Sequence, residues 1–348
     1  ERGMVNQILG SRADNDDTDD PQLTYFQPLA PGADKDYGNT GTCCGGTGLE
    51  SHTKYTEAVY SHSADGSTLW VNLYVPSTLT WADRDVTITQ MTGFPRDDRT
   101  RLTVDGRGRF TMRLRVPGWA ERGFEVRVNG VRRQLRARTG SYVSIDRHWR
   151  PGDRVDVSMP FSIRIERAID RPDTQAIFWG PVLMPILGDP GGGFRELTLY
   201  RHLKRDGDYT RAAITPAGTT PAGDQLFTTS GLDLRPWYVG DSQAHSAYFR
   251  RVEPRIVFGT IDSGVPNRKR DDGLPDYDVP VEGIPSPGHD GPTFLDLVWD
   301  EAPFGNHGAF VSTVARLAHR FERAGKFTER QRDRVVAAAA RARKELQP

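Results

Sequence analysis

Leu69-Trp70-Val71-Asn72-Leu73-Tyr74-Val75 decides the fold class of this chain. Leu69, Val71, Leu73 and Val75 alternate with Trp70, Asn72 and Tyr74, and a period of two belongs to a strand with two different faces. Further alternating runs lie at Val86–Met91, Phe110–Val116, Phe124–Val128, Tyr142–Ile145, Val155–Met159 and Ser162–Arg167. Asp105-Gly106, Asn129-Gly130 and Pro151-Gly152 separate them as turn signals. Many short strands with regular turns predict an all-β sandwich, with Leu69, Leu73, Val116, Val126 and Ile145 pointing inward. The arginines of Arg113-Leu114-Arg115-Val116 read as a solvated sheet face rather than a polyanion site. The apolar run Ala176–Leu187, interrupted by Gly180, Pro181 and Pro185, reads as a buried strand crossing between domains.

Downstream, Thr215–Gly223 reads as an exposed loop or linker in a Gly-, Pro- and Thr-rich stretch. Trp237, Tyr238, Tyr248 and Phe249 could stack on sugars, but an aromatic core is the stronger reading. Asn267-Arg268-Lys269-Arg270-Asp271-Asp272-Gly273 carries alternating charges suited to a surface. A helical period returns with Phe310, Val314, Leu317 and Phe321, and continues through Val335 and Val336. Gly325 and Thr328 supply a stop and an N-cap between two helices.

Upstream, helical patterns at Glu1–Leu9 and from about Thr47 flank Gly38-Asn39-Thr40-Gly41-Thr42-Cys43-Cys44-Gly45-Gly46-Thr47-Gly48. Cys43 and Cys44 are the only two cysteines in 348 residues. Adjacent cysteines rarely bridge each other because the ring is strained, and no third cysteine exists to form an ordinary disulfide. The pattern places both thiols in a loop at a helix N-terminus, where the dipole favours thiolate. Two thiolates on a rigid turn are half of a tetrahedral zinc site; the plain alternative is a pair of buried, inert cysteines. His52 lies on one helical face with Leu49, Thr56 and Val59, either as a partner of that site or as a packed or surface histidine. The acidic run Asp14–Asp20 has Asp19 and Tyr25 where a calcium loop needs Gly and Glu, so it reads as solvated.

Thr42-Cys43-Cys44 followed by glycines and a helix resembles the paired-cysteine motif of glycoside hydrolase family 127, the β-L-arabinofuranosidases. Asn6-Gln7-Ile8-Leu9-Gly10 is similar to that family's Asn-x-x-Leu-Gly helix end. Tyr25-Phe26-Gln27-Pro28-Leu29 is similar to its Tyr-x-Asn-Pro-Leu segment, with Gln in place of Asn. Leu69–Ser77, Arg113–Trp119, Pro236-Trp237-Tyr238 and Ala247–Arg250 resemble the strands that follow, in order, over roughly residues 1–250. The resemblance implies a retaining hydrolysis in which Cys43 is both nucleophile and zinc ligand and Cys44 is a second ligand, with a Glu as acid and then base. It also implies that Glu1 and Tyr25 line the sugar pocket. The family's other two ligands, on a Glu-x-Cys motif, have no counterpart here, and its acid/base Glu precedes residue 1.

The resulting expectation is a mainly β chain with flanking α. Residues 1–62 would be the end of an (α/α)6 catalytic barrel and 63–188 a β-sandwich. Residues 189–259 would be a second β-rich region returning to the barrel, and 260–348 a small C-terminal region ending in a helical hairpin. The chain opens on Glu inside a helical pattern, so it reads as a piece of a longer enzyme, inactive alone, with a half-supplied zinc site. Its partner would be an arabinofuranoside-containing glycan, and homo-oligomerisation is left open. Lys plus Arg and Asp plus Glu both total 46, which gives no argument for nucleic acid or an anionic membrane. No apolar run is long enough to span a bilayer, and the compartment is undetermined. Two rivals stand beside this reading: a non-catalytic carbohydrate-binding or scaffold sandwich, and a vicinal-dithiol metal or redox protein.

Overall fold

The computed structural model describes residues 1–13, 22–38, 42–168, 174–188, 193–198, 200, 214–239, 242–268 and 292–342. The acidic run and residues 269–273 lie outside them. Residues 60–158 form two facing sheets. One has the order β1 (Tyr60–His62), β2 (Thr68–Val71), β6 (Gly108–Val116), β9 (Ser141–Trp149), with β2 and β6 parallel. The other runs β3 (Ser77–Trp81), β4 (Val86–Thr92), β5 (Arg99–Gly106), β10 (Asp153–Ser158), β7 (Glu125–Val128), β8 (Val131–Arg132).

Alternation builds the core. Leu69, Val71, Met112 and Leu114 from the first sheet are fully buried in one cluster with Ile88, Leu102, Val104 and Val155 from the second. Trp149 stacks on Phe110 at 5.5 Å and donates from Nε1 to the Phe110 carbonyl at 3.0 Å. Asn129 and Gly130, with φ of 52° and 81°, make the reversal between β7 and β8. Two positive φ values in succession are the requirement of a type I′ hairpin turn.

Four inward placements agree with the alternation: Leu69, Val116, Val126 and Ile145 are buried. Leu73 is not fully buried. The strand ends at Val71, the phase slips, and Tyr74 takes the interior position, its hydroxyl donating to the Arg115 carbonyl at 2.5 Å. Arg113 and Arg115 are half-buried, stacked among aromatic rings, rather than simply solvated.

Beyond the sandwich, the run 174–187 is three short strands rather than one. Thr174–Trp179 and Val182–Leu183 pair in one sheet, and Ile186–Leu187 pairs in another with Leu232–Leu234 and His245–Ser246. Residues 215–223 are no linker: Ile214–Thr219 pairs with Gln225–Thr229, and its exposed outer residues explain the polar composition. The four aromatics do not form one cluster. Phe249 and Trp237 are buried, while Tyr238 donates to Asp224 at 2.7 Å.

A second hydrophobic core combines strands Arg255–Phe258 and Ile261–Pro266 with helices at Phe294–Trp299, His307–Arg323 and Glu329–Arg341. Thr328 caps the last helix through a reciprocal box with Gln331, after Gly325 at φ 67°. Arg251 joins the two regions. Its buried guanidinium pairs with buried Glu253 and reaches Asp296 at 3.1 Å on the Phe294–Trp299 helix. Removing one partner of such a pair strands the other charge away from water. Arg251→Met should therefore lower the urea stability by about 3–5 kcal/mol, and adding Glu253→Leu should restore part of the loss.

Candidate functional site

Helix α1 (Cys43–Lys54) begins at Cys43, earlier than the pattern at Thr47 predicts. Thr42 is its N-cap, accepting from the Gly45 amide at 3.1 Å. Cys43 and Cys44 therefore occupy the first helical turn rather than a preceding loop. Three glycines in the helix disguise its start, because glycine is a poor helix former. Packing compensates at one of them: a Cβ at Gly48 would stand 2.9 Å from Leu23 Cδ1, so a larger residue would push α1 off that segment.

Both thiols are free and exposed, with Sγ atoms 3.9 Å apart. The Tyr25 hydroxyl stands 3.7 Å from Cys43 Sγ. Tyr25 holds the Cys43 thiol below its ordinary value by hydrogen bonding, with Cys44 adding to the effect, while hydrogen bonding to Cys44 and then to Cys43 pushes the Tyr25 phenol up. Either group can donate in this contact, and the lowered thiol favours the Tyr25 hydroxyl as the donor.

Tyr25 is positioned by a frame of residues far apart in the chain. Gln27 donates to the Gln7 carbonyl at 2.7 Å and accepts from Trp237 Nε1 at 2.6 Å. His245 Nε2 lies 2.9 Å from the Pro28 carbonyl. Buried Lys35 donates to the carbonyls of Gly10 at 2.7 Å and Trp237 at 2.6 Å, with its ammonium 4.2 Å above the Trp237 ring. Gly10 is needed here, since a Cβ would meet the Trp237 ring at 2.5 Å. Asn6 ties the short N-terminal helical segment Met4–Ile8 to strand Val182–Leu183 through the Pro181 carbonyl and the Leu183 amide, both at 2.8 Å. The Gln at position 27, which departs from the motif, thus bridges a helix and a tryptophan 210 residues away. No local pattern signals such a contact.

The other expected site residues lie elsewhere. No contact joins Glu1 to the cysteines among the described residues. Burial raises its carboxyl, Arg115 opposes that, and its charge acts on Tyr74. His52 is half-buried with Nε2 unpartnered and is pushed down by burial and by Arg12. It lines an apolar cleft of about 730 Å³ with Val5, Ile8, Tyr55 and Leu79, rather than the thiol site. Among the described residues no three His, Cys, Asp or Glu side chains gather as a metal set.

The pair of sulfurs nevertheless fits one edge of a tetrahedral zinc site. Two thiolates at about 2.3 Å from a tetrahedral ion stand about 3.8 Å apart, close to the 3.9 Å seen here.

Residues 68–161 match the family model of the GH127 β-L-arabinofuranosidase middle domain. Among solved structures, the chain is similar to a glycoside hydrolase at 17% identity and TM-score 0.56, over 72% of this chain and 47% of that one. A GH127 β-arabinofuranosidase is similar at 20% identity and TM-score 0.54, over 70% and 44%. A GH127 β-L-arabinofuranosidase from Geobacillus stearothermophilus T6 aligns at 22% identity and TM-score 0.49, over 60% and 37%. No curated protein matches. The chain spans less than half the length of these structures. The resemblance to family 127 is thus shown, and it is carried by the sandwich rather than by the cysteine turn.

Two outcomes follow from the site. Tyr25→Phe removes the hydrogen bond that lowers Cys43, so the midpoint of its alkylation rate against pH should move upward, read by peptide mass spectrometry. Lys35 is brought down to about 7 by burial and by Arg235, whereas an unfolded lysine titrates near 10.4. Between those values the unfolded chain holds a proton that the folded one has released, so stability rises with pH across that window. Urea unfolding at pH 7 and pH 9 should show a gain on the order of 2 kcal/mol that Lys35→Met abolishes.

Proposed function

We propose that this chain is the nucleophile-bearing part of a retaining β-L-arabinofuranosidase-type glycoside hydrolase acting on arabinofuranoside-containing glycans. The observation that carries the reading is the Tyr25–Cys43–Cys44 constellation at the start of α1. The match of the following sandwich to the GH127 middle domain supports it.

In this reading the Cys43 thiolate attacks the anomeric carbon and the glycosidic C–O bond breaks. The departing oxygen takes a proton from a carboxylic acid. Water then cleaves the glycosyl–cysteine bond, and two displacements leave the configuration retained. Tyr25 steadies the thiolate before attack by donating a hydrogen bond to Sγ. Cys43 and Cys44 would hold a zinc ion by one edge, and that ion, when bound, keeps the thiols deprotonated and fixed. The proton donor and the remaining ligands would be supplied by groups other than the two thiols and Tyr25. Glu1 and Tyr25 remain the proposed sugar-pocket residues, of which Tyr25 alone has a contact to the sulfurs.

The test is turnover of an aryl β-L-arabinofuranoside by the protein in its complete, zinc-supplied form, with the first-formed anomer followed by NMR. Cys43→Ser is expected to remove turnover without loss of fold. Tyr25→Phe should cost about tenfold in kcat, the worth of one hydrogen bond to a charged group. Undiminished kcat in Cys43→Ser would overturn the assignment. Absence of turnover, with glycan binding equal in the parent and in Cys43→Ser, would leave the sandwich as a carbohydrate-binding module instead.

A further inference from the structure

The open face of the β1-β2-β6-β9 sheet carries a second constellation, far from the thiols. The register sets Ser61, Trp70, Arg113 and Ser144 in one row across four strands, with Arg115 opposite Tyr142 in the next. The Arg113 guanidinium lies 5.7 Å from the ring centroids of both Trp70 and Tyr142, and Arg115 lies 5.4 Å from Tyr142. A guanidinium held between two rings fixes both of them, since each contact is attractive and the fork is planar. Tyr142 donates to Asn72 Oδ1 at 2.8 Å, and Asn72 Nδ2 donates to Ser61 at 3.2 Å, so the polar rim is ordered as well. Trp70, Asn72, Tyr142 and Ser61 line an open cleft of about 580 Å³, within the range of small-ligand sites.

The charge of this face is unbalanced. Arg113 makes no ion pair among the described residues, and its Nε is buried without a partner, while Arg115 donates to the Gly140 carbonyl. Glu1 and Arg115 influence each other electrostatically, and Asp146 is already paired with Arg109 at 2.8 Å. Arg113 is oriented by two rings and makes no ion pair among the described residues. A protein partner would need a far larger apolar area than this polar cleft offers. A sugar ring suits flat aromatic faces through its C–H groups, and a carboxylate suits a guanidinium through paired hydrogen bonds.

We propose that the cleft lined by Trp70 and Tyr142, with the Arg113 guanidinium stacked against both rings at its side, is a binding site for uronate-bearing oligosaccharide, separate from the thiol site. Ala58 at its border stands at the far end of α1 and the turn after it from Cys43, some 20 Å along the helix axis at 1.5 Å per residue. The site does not rest on the proposed hydrolysis and stands if Cys43 proves inert.

The test is calorimetric titration of the whole chain with trigalacturonate at physiological salt, with arabinotriose and sulfate as comparators. Saturable binding of trigalacturonate, with neither comparator bound comparably, is expected. Arg113→Gln should weaken it at least tenfold. Ser144→Glu, at an exposed position opposite Arg113, supplies an internal carboxylate and should weaken it similarly without touching the core. Trp70→Ala should abolish it, with circular dichroism confirming the fold. No saturable binding, equal binding of arabinotriose or sulfate, or undiminished binding in both Arg113→Gln and Ser144→Glu would overturn the proposal.

Discussion

The arrangement around the thiols depends on one buried amine. Lys35 brings its amino group into a site of almost no exposure, where lost hydration favours the neutral form as pH rises above neutrality. Two carbonyls and the Trp237 ring face offset that cost, and they belong to segments far apart in sequence. The lysine therefore binds only when the first helix, its own loop and the stretch at 237–245 have all arrived. Its loop carries Tyr25, so the phenol reaches Cys43 because a distant tryptophan holds the base of the loop. An apolar residue at 35 could fill the volume but would leave the Gly10 and Trp237 carbonyls without that donor. Directional bonding, rather than packing, specifies this corner.

The sandwich was legible in the sequence because its strands alternate cleanly, and its failures are informative. Strand β5 was missed since Thr100 occupies a buried position between the visible apolar residues Leu102 and Val104 and the loop before them. A threonine on an inner face reads as polar when only hydrophobicity is followed. The slip from Leu73 to Tyr74 has a similar origin: a tyrosine counts as interior once its hydroxyl finds a carbonyl, here that of Arg115. Helix α1 starts earlier than its apolar pattern because Thr42 caps it, while Gly45, Gly46 and Gly48 hide its first turn. The cap and the close approach at Gly48 are tertiary and local facts that propensity does not contain.

Arg113 and Arg115 show a different limit. Alternation assigned them correctly to the face away from the core, but not to a neighbourhood. What surrounds them comes from strand order: β2 lies parallel on one side and β9 antiparallel on the other, so Trp70 and Tyr142 arrive from 43 positions upstream and 27 downstream of Arg113 and Arg115 respectively. Period two reveals a residue's side of the sheet, and only register reveals its companions. The same argument explains why the cysteine pair was found and its frame was not. Adjacent cysteines are visible in one dimension, whereas Gln27, Lys35, Trp237 and His245 converge only after folding.

The two halves of the molecule also hold their shape by different means. The sandwich is secured by a continuous apolar cluster, and local openings there must expose many buried side chains at once. In α1 only Gly45 is buried, so the helix bearing the thiols contributes almost no apolar side chain to that cluster. Its position rests on the Thr42 cap, the contact at Leu23 and the Tyr25 loop, each worth little singly. A ligand bridging the sulfurs would then add ordering energy to the segment, because binding to a weakly held element is linked to its folding. The sandwich is therefore held by many buried side chains at once, whereas the helix bearing the thiols is held by a few single contacts.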